Sequence, residues 1–361
     1  MIALFIVSSL FSLCASYKYS DPLARGKMLP LSAAAYADDP TPCINNLFPN
    51  TTLINMVVKV CDEMDNVCAG FVAVSHEERA VVLSYRGTTI YEQLEAEIAD
   101  VVSQPRVPFS GGGKVAQYFV TAFNILWTGG IKEALTATVR KYPDYKVWCN
   151  AVLHGFANMN ANNTIHRRGN PAVLKFANIL VLVTGHSLGG VFASMSALYI
   201  SKTQIAKPEN ITLYTFGQPR MGDLDYATAV DKLVPHSFRL VHDQDLVPHS
   251  PPSLLGYEHH MTEVFYENDM ESGANFTVCS KDEDYSCSDK YYFAASVTQH
   301  QWYFGQHVSD FGRAGCVPKR PNVNVGTHEP TEAEKRLTLK LKALLSLTSG
   351  KSNNTHRRPV V

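Results

Sequence analysis

The residue pattern with the clearest chemistry is Gly-His-Ser-Leu-Gly at residues 185–189, which has the form G-x-S-x-G. It follows an apolar run at residues 179–183 and precedes a segment rich in small residues, 191–200. Strand, sharp turn and helix are the context in which such a serine is held as an accessible nucleophile. The pattern therefore predicts a nucleophile elbow at Ser187, the alternative being a structural glycine turn.

A serine hydroxyl needs a base to take its proton and an acid to orient that base. In hydrolases with this motif the partners follow in the order serine, acid, histidine. Residues 238–241 are strand-like and run into a turn that carries Asp243 and Asp245, and either aspartate suits the role of the acid. Local pattern does not rank the downstream histidines, which are His242, His249, His259, His260, His300 and His307.

Four motifs occur in an order that resembles the class 3 lipases, the family of secreted fungal triacylglycerol lipases that also has many animal members. They are Gly-His-Ser-Leu-Gly-Gly at 185–190, Thr-Phe-Gly-Gln-Pro-Arg at 215–220, Asp-Leu-Val-Pro-His at 245–249 and His-Gln-Trp-Tyr-Phe-Gly at 300–305. The resemblance extends over about residues 28–318. It implies that Ser187 is the nucleophile, that Asp245 rather than Asp243 is the acid, and that His300 rather than His307 is the base.

An oxyanion hole needs two donors directed at the developing negative charge. The amide of Leu188, directly after the nucleophile, is the first candidate. The second comes from a loop after an earlier strand, and residues 81–85 read as that strand. The resemblance assigns this role to Thr88, in the loop Arg-Gly-Thr at residues 86–88. The alternative is a plain turn at the end of a strand.

The next segment has the spacing of an amphipathic helix. Ile90, Leu94 and Ile98 are four residues apart and share one helix face, whereas the glutamates between them point elsewhere. The resemblance implies that this segment is a lid over the active site. A surface helix packed on the core is the alternative. The short apolar face, flanked by acids, favours weak interfacial activation or esterase-like behaviour.

Chain length and element order predict one large α/β domain, an α/β-hydrolase fold with a mostly parallel central sheet and helices on both faces. Strand and helix patterns alternate along the chain. The predicted elements are a hairpin of strands 71–74 and 81–85, helices at 115–127 and 131–142, and strands at 211–216 and 239–243.

The two ends of the chain differ from this domain, which we place at residues 17–318. Residues 1–16 are a short apolar run followed by small residues, which predicts a cleaved secretory signal rather than a membrane anchor. The tail, 319–361, is polar and includes one stretch that could form a short helix.

The formal net charge is −1 and no basic block is present, so nucleic acid is not an expected partner. No cofactor or metal is expected.

The cysteines also indicate export. There are eight cysteines, of which Cys14 is expected to be removed with the signal sequence. Two pairs flank short polar loops, Cys61 with Cys68 and Cys279 with Cys287. The resemblance pairs Cys43 with Cys316 and leaves Cys149 over. A metal site is the alternative, but no C-x-x-C pair with partner ligands is present. Glycosylation sequons are present at Asn50, Asn162, Asn210, Asn275 and Asn353.

One region departs from the family pattern. In class 3 lipases a Tyr-Lys-Val-Trp segment leads almost directly into Val-Thr-Gly-His-Ser, whereas here 145–148 and Val183 are separated by the polar insert 149–182. We favour the hypothesis that the insert is a translated segment outside the working protein, such as a retained intron. In the second hypothesis residues 178–183 replace 145–148 as the strand and the rest loops out. Both keep Ser187 in place.

These residues together predict a secreted serine hydrolase that cleaves carboxylic esters, above all acylglycerols, at a lipid–water interface. One alternative is an esterase for short-chain or plant-wall (feruloyl-type) esters. Another is a secreted binding protein whose catalysis the insert 149–182 has impaired. Turnover of a soluble nitrophenyl ester separates an enzyme from a binding protein.

Overall fold

The structure is a computed structural model that describes residues 18–63, 65–89, 91–143, 145, 179–291 and 296–317, with six further positions between 332 and 343. For 91–93 and 95–97 only the backbone is described. The predicted signal sequence, Ile90 and Cys149 lie outside the described residues, as does most of the insert.

The described strands form one large central sheet and two small hairpins. In chain order they are β1 (Thr51–Val60), β2 (Val67–Ser75), β3 (Ala80–Tyr85), β4 (Arg106–Pro108), β5 (Lys114–Ala116), β6 (Leu180–His186), β7 (Ile211–Phe216), β8 (His236–His242), β9 (Glu263–Tyr266), β10 (Thr277–Cys279), β11 (Trp302–Tyr303) and β12 (Gln306–His307). The central sheet has the order β1-β2-β3-β6-β7-β8-β9-β10, and β4/β5 and β11/β12 are the hairpins. Strands β3, β6, β7, β8 and β9 are parallel, and antiparallel strands complete both edges.

Helices cover both faces of this sheet. They are α1 (Asp21–Leu23), α2 (Leu29–Ala34), α3 (Thr41–Leu47), α4 (Tyr91–Ser103), α5 (Gln117–Leu126), α6 (Lys132–Lys141), α7 (Leu188–Lys202), α8 (Leu224–Leu233), α9 (Val297–Gln301) and α10 (Val308–Arg313). Alternate residues of each strand face opposite sides. Leu83 of β3 belongs to the core with α5, α6 and α7, whereas Val82 belongs to the core with α2 and α10. The predicted fold class is confirmed.

The strand that leads to Ser187 is β6, which pairs in parallel with β3 and β7. Val181 and Val183 are fully buried, as expected for a central strand that reads as a continuous apolar run. In the full-length chain the slot in the sheet is therefore filled by Leu180–His186, as in the second of the two hypotheses for the insert. Whether residues 149–178 belong to the working protein stays a prediction.

The predicted helix boundaries need one correction. Val115 and Ala116 are in β5, so the predicted helix at 115–127 begins instead at Gln117. Between α5 and α6 the chain makes a π turn, Trp127–Ile131, in which Gly130 has a φ of 138°. Residues with side chains rarely adopt that conformation, so the glycine sets the break between the two helices. The predicted hairpin of β2 and β3 is confirmed.

Three disulfides are present, Cys43–Cys316, Cys61–Cys68 and Cys279–Cys287, and all three match the expected pairing. Each such bridge typically contributes about 2–4 kcal/mol to stability.

One of the predicted glycosylation sites needs a correction, because Asn210 is only 6% exposed and cannot readily serve as a glycan acceptor. Asn50 and Asn275 are exposed, and the other two sequons lie outside the described residues.

No helix in the described part of the chain is long and apolar enough to cross a membrane. In the tail, the described positions have helical backbone and are exposed; they are Glu332, Lys335, Arg336, Leu339, Lys340 and Ala343.

Candidate active site

Ser187 stands at a sharp turn between β6 and α7. Its φ of 59° and ψ of −131° place a non-glycine residue in a sparsely populated region, which typically costs about 1–3 kcal/mol. Two backbone hydrogen bonds hold this turn: Ser187 N donates to the Phe216 carbonyl at 2.9 Å, and Gly190 N donates to the Ser187 carbonyl at 2.8 Å. The predicted strand–turn–helix context of the motif is present.

The glycines of the motif allow very close backbone packing. A Cβ atom on Gly185 would lie 2.1 Å from the Gly189 carbonyl oxygen, and one on Gly189 would lie 2.3 Å from the Tyr85 carbonyl oxygen. Real Cβ atoms do not approach that closely, so both positions require glycine. The first turn of α7 can therefore press against β3 and β6, and the serine is set at the end of the sheet.

The candidate acid and the candidate base are brought together from two separate segments, the loop after β8 and helix α9. His300 lies in α9, and its Nδ1 is 3.0 Å from Oδ2 of Asp245, which follows β8. Asp245 is fully buried and also accepts hydrogen bonds from the Tyr303 hydroxyl at 2.8 Å and the Val247 amide at 2.9 Å. Burial alone would raise the pKa of Asp245, but His300 and these donors outweigh it and lower the pKa. The carboxylate therefore stays ionised beside His300.

Asp243 has a different environment from Asp245. Its φ is 41°, and its carboxylate accepts a hydrogen bond from Nε2 of Gln299 at 2.5 Å. The other histidines contact groups outside the Asp245–His300 pair, namely the Gln299 and Trp302 carbonyls (His242), the Pro248 carbonyl (His259), Ser237 (His260), Asp289 (His249) and Asp310 (His307). Of these candidates, only Asp245 and His300 are paired in the described structure.

His186, the variable residue of the motif, also supports the base. Its Nε2 is 2.7 Å from the His300 carbonyl oxygen, and its Nδ1 is 2.7 Å from the Tyr36 hydroxyl. Burial and the proximity of His300 lower the pKa of His186 to about 3. The ring is therefore neutral, and because its Nε2 donates to the carbonyl, its Nδ1 accepts from Tyr36. No local sequence pattern indicates this bridge, because the motif allows any residue at position 186 and Tyr36 is distant in sequence.

The two oxyanion candidates lie on either side of the elbow. Leu188 is the first residue of α7, and the first amides of a helix have no acceptor within the helix. Thr88 follows Gly87, where a Cβ would lie 2.4 Å from the Tyr36 hydroxyl and 2.5 Å from the His186 carbonyl oxygen. The absence of a side chain at Gly87 lets the loop lie directly against the elbow. Thr88 also lines a cleft together with Ser187.

Two clefts meet at Ser187. The apolar cleft, about 310 Å³ in volume, is lined by Leu94, Ile98, Val101, Phe119, Ser187, Leu188, Pro219, Val247, Ser250 and Pro251. The polar cleft, about 480 Å³, is lined by Tyr36, Thr88, Thr89, Leu94, His186, Ser187, Val297, His300, Gln301, His307 and Ser309. Ser187 itself is only 2% exposed, so it lies buried where two chemically different clefts meet.

Helix α4 forms one wall of the apolar cleft. Leu94 and Ile98 are each 7% exposed and pack in one cluster with Leu246, Val247 and Val297. The predicted amphipathic face is therefore directed at the site, except for Ile90, which lies outside the described residues. Lid movement stays a prediction.

Comparisons with known proteins agree with this arrangement. The family model for lipase (class 3) matches residues 82–150 and 149–255. A lipase from Caenorhabditis elegans is 32% identical over 334 residues, which span 83% of this chain and 84% of that protein. The chain belongs to the class 3 lipase family. The predicted family is thereby confirmed.

Solved structures of fungal lipases have the same fold as this class 3 lipase family member. A lipase from Rhizopus microsporus var. chinensis superposes with a TM-score of 0.61 at 25% identity, covering 79% of this chain and 89% of that chain. The triacylglyceride lipase of Rhizomucor miehei gives a TM-score of 0.61 at 25% identity, covering 81% of this chain and 97% of that chain.

Proposed function

We propose that this class 3 lipase family member is a secreted serine hydrolase that cleaves carboxylic esters, above all acylglycerols, through an acyl-enzyme on Ser187. The observation that carries the proposal is the position of Ser187. It occupies a strained turn, and the cleft that it lines is also lined by His300, whose Nδ1 is paired with Asp245. The shared cleft and the Asp245–His300 pair support the proposed roles of nucleophile, base and acid for these three residues.

In the proposed reaction, Ser187 Oγ attacks the ester carbonyl carbon while His300 accepts the hydroxyl proton. Asp245 stabilises the imidazolium that forms. The amides of Thr88 and Leu188 donate to the oxyanion of the tetrahedral intermediate. The intermediate collapses, the C–O bond to the alcohol breaks, and His300 returns the proton to the leaving oxygen. Water then attacks the acyl-enzyme with His300 again as base, which releases the carboxylic acid and restores Ser187.

The apolar cleft is the proposed site for the acyl chain. Eight of its ten lining residues are apolar, and each methylene group buried there gains about 0.8 kcal/mol. Since α4 covers this cleft with Leu94 and Ile98, we propose that α4 is a lid that moves aside at a lipid–water interface. The covering cluster is small, so interfacial activation should be weak.

The protein is proposed to act outside the cell, after export. The three disulfides support it, because such bridges persist in oxidising compartments. The apolar residues 1–16 and the exposed sequon asparagines Asn50 and Asn275 agree with this location.

The proposal is tested by assaying the purified protein against soluble nitrophenyl butyrate and against emulsified triolein, with Ser187→Ala as the control. We expect turnover of both substrates, with little increase in rate above the solubility limit of the short ester. Failure of the folded protein to hydrolyse either one would contradict the proposal and favour a binding protein. Turnover of the short ester alone would favour an esterase.

A further inference from the structure

The two clefts at Ser187 differ in the groups that catalysis requires. His300 lines the polar cleft and is absent from the lining of the apolar one. His300 must reach the leaving oxygen to protonate it. The alcohol part of the substrate therefore lies on the polar side of Ser187, opposite the acyl chain.

The polar cleft offers hydrogen-bonding groups with spare capacity. Gln301, adjacent to the base, is half-buried, and its side-chain amide makes no hydrogen bond within the described residues. The Ser309 hydroxyl has only long contacts, 3.4 Å to Nδ1 of His307 and 3.5 Å to Nη1 of Arg313. Thr89 is exposed at the rim of the cleft. An amide and two hydroxyls therefore face the space where the alcohol must lie.

The chemistry of these groups selects among alcohols. An apolar alcohol would displace water from them and offer no hydrogen bond in return, which is unfavourable. A polyol with free hydroxyls would replace that water with direct hydrogen bonds. A triacylglycerol would instead bring two further acyl chains towards the same polar surface. The apolar cleft has Ser250 as its one polar lining residue besides Ser187, and it faces the acyl chain, which presents only methylenes, so it does not discriminate among alcohols.

We infer that the polar cleft is a binding site for a glycerol unit that carries free hydroxyls, so that mono- and diacylglycerols are preferred over triacylglycerols and over esters of apolar alcohols. The inference rests on the proposed function and extends it to the alcohol part of the substrate. Gln301 and Ser309 are the residues that determine this preference, and Thr89 contributes at the rim.

The test compares 1-monohexanoylglycerol with propyl hexanoate, which have the same acyl chain and differ in two hydroxyls. The kcat/KM of each ester is divided by its rate of alkaline hydrolysis to remove the intrinsic reactivity of the leaving group. We expect the glycerol ester to be preferred by about tenfold or more, the factor expected for one or two net hydrogen bonds. Equal values for the two esters would overturn the inference and leave the proposed function standing. Failure to hydrolyse either ester would overturn both.

Variants then locate the preference. Gln301→Leu and Ser309→Ala should each reduce the ratio of the two kcat/KM values several-fold, and the double variant should bring it close to one. Thr89→Val gives a further check at the exposed rim. The matched control is Ser250→Ala, which removes a hydroxyl from the apolar cleft and should affect both esters equally. A ratio unchanged in Gln301→Leu and Ser309→Ala, or reduced as much by Ser250→Ala, would contradict the inference.

Discussion

The two halves of the candidate active site are held in place by different means. Asp245 accepts three hydrogen bonds, and the His300 carbonyl accepts one from His186, so hydrogen bonds hold the candidate acid and the candidate base in place. The Ser187 hydroxyl, in contrast, has no hydrogen-bond partner within the described residues. The strained backbone and close glycine packing fix the nucleophile instead.

This difference indicates how each half can fail. The acid–base half should fail when a side-chain donor or acceptor is removed, because the contacts themselves are lost. The nucleophile half should fail when a side chain is added, since the close backbone packing at the elbow leaves no room for a Cβ atom. The predictions below probe the two halves in order of expected effect.

Loss of the reacting groups should have the largest effect. Ser187→Ala and His300→Ala should each lower kcat for ester hydrolysis by about 10⁴–10⁶-fold, because both take part in bond making and proton transfer. The Ser187 hydroxyl makes no hydrogen bond within the described residues, so Ser187→Ala should melt close to the wild type. His300→Ala removes the main partner of the buried Asp245 carboxylate and should therefore lower the melting temperature. Turnover near the wild-type rate by either purified variant would remove that residue from the mechanism.

The two aspartates provide a matched pair for the acid. Asp245→Asn should lower kcat by about 10⁴-fold, since an amide cannot stabilise the charged imidazolium and can favour the wrong tautomer of His300. Asp243→Asn keeps an acceptor for Gln299 and should cost less than about tenfold. Steady-state kinetics of both variants decide the assignment, and equal losses would contradict it.

The nucleophile half is tested by adding one methyl group. Gly87→Ala should place a Cβ against Tyr36 and the His186 carbonyl, destabilise the fold by about 1–3 kcal/mol and lower kcat by about 100-fold through displacement of the elbow. The control is Gly26→Ala, at a helical position with no atom within 4 Å, which should be neutral or slightly stabilising. Thermal unfolding and kinetics are measured together. Similar behaviour of the two variants would mean that close packing does not set the elbow.

The smallest effect is expected for the bridge behind the base. Tyr36→Phe removes the donor to His186 Nδ1, so the bridge to the His300 carbonyl should loosen and kcat should fall about tenfold, with a stability loss of about 1–3 kcal/mol. Tyr226→Phe removes a hydroxyl of similar burial that contacts Ser194, and should lower stability without changing kcat. If both variants lose kcat equally, the bridge has no specific part in positioning His300.

The elbow could be predicted from sequence because its requirements are local. Glycine at 185 and 189 is dictated by contacts within a few residues and with the adjoining strand, and the flanking apolar run and helix are visible in the pattern. β7 was predicted with the observed bounds, Ile211–Phe216, because its sequence, Ile-Thr-Leu-Tyr-Thr-Phe, is rich in the β-branched and aromatic residues that favour strands.

The rest of the site depends on contacts between distant residues. Asp245 and His300 are 55 residues apart, so the local pattern could not decide which of two aspartates is the acid or which of six histidines is the base. Only the family resemblance selected one of each. The bridge from Tyr36 to His186 spans 150 residues and left no sequence signal at all. Residues 145–148 and 178–183 were both candidates for the β6 position because both are strand-like in sequence, and only the pairing with β3 and β7 distinguishes them.

The most direct test of the central claim is covalent labelling of the native protein with a fluorophosphonate ester probe, followed by intact mass measurement and peptide mapping. A fluorophosphonate reacts with a serine only where a base and an oxyanion site activate it. We predict one adduct per chain, located on Ser187, with loss of ester hydrolysis in proportion to labelling and no adduct in Ser187→Ala. An adduct on another residue, or full ester hydrolysis by protein that takes up no label, would contradict the assignment of Ser187 as the nucleophile.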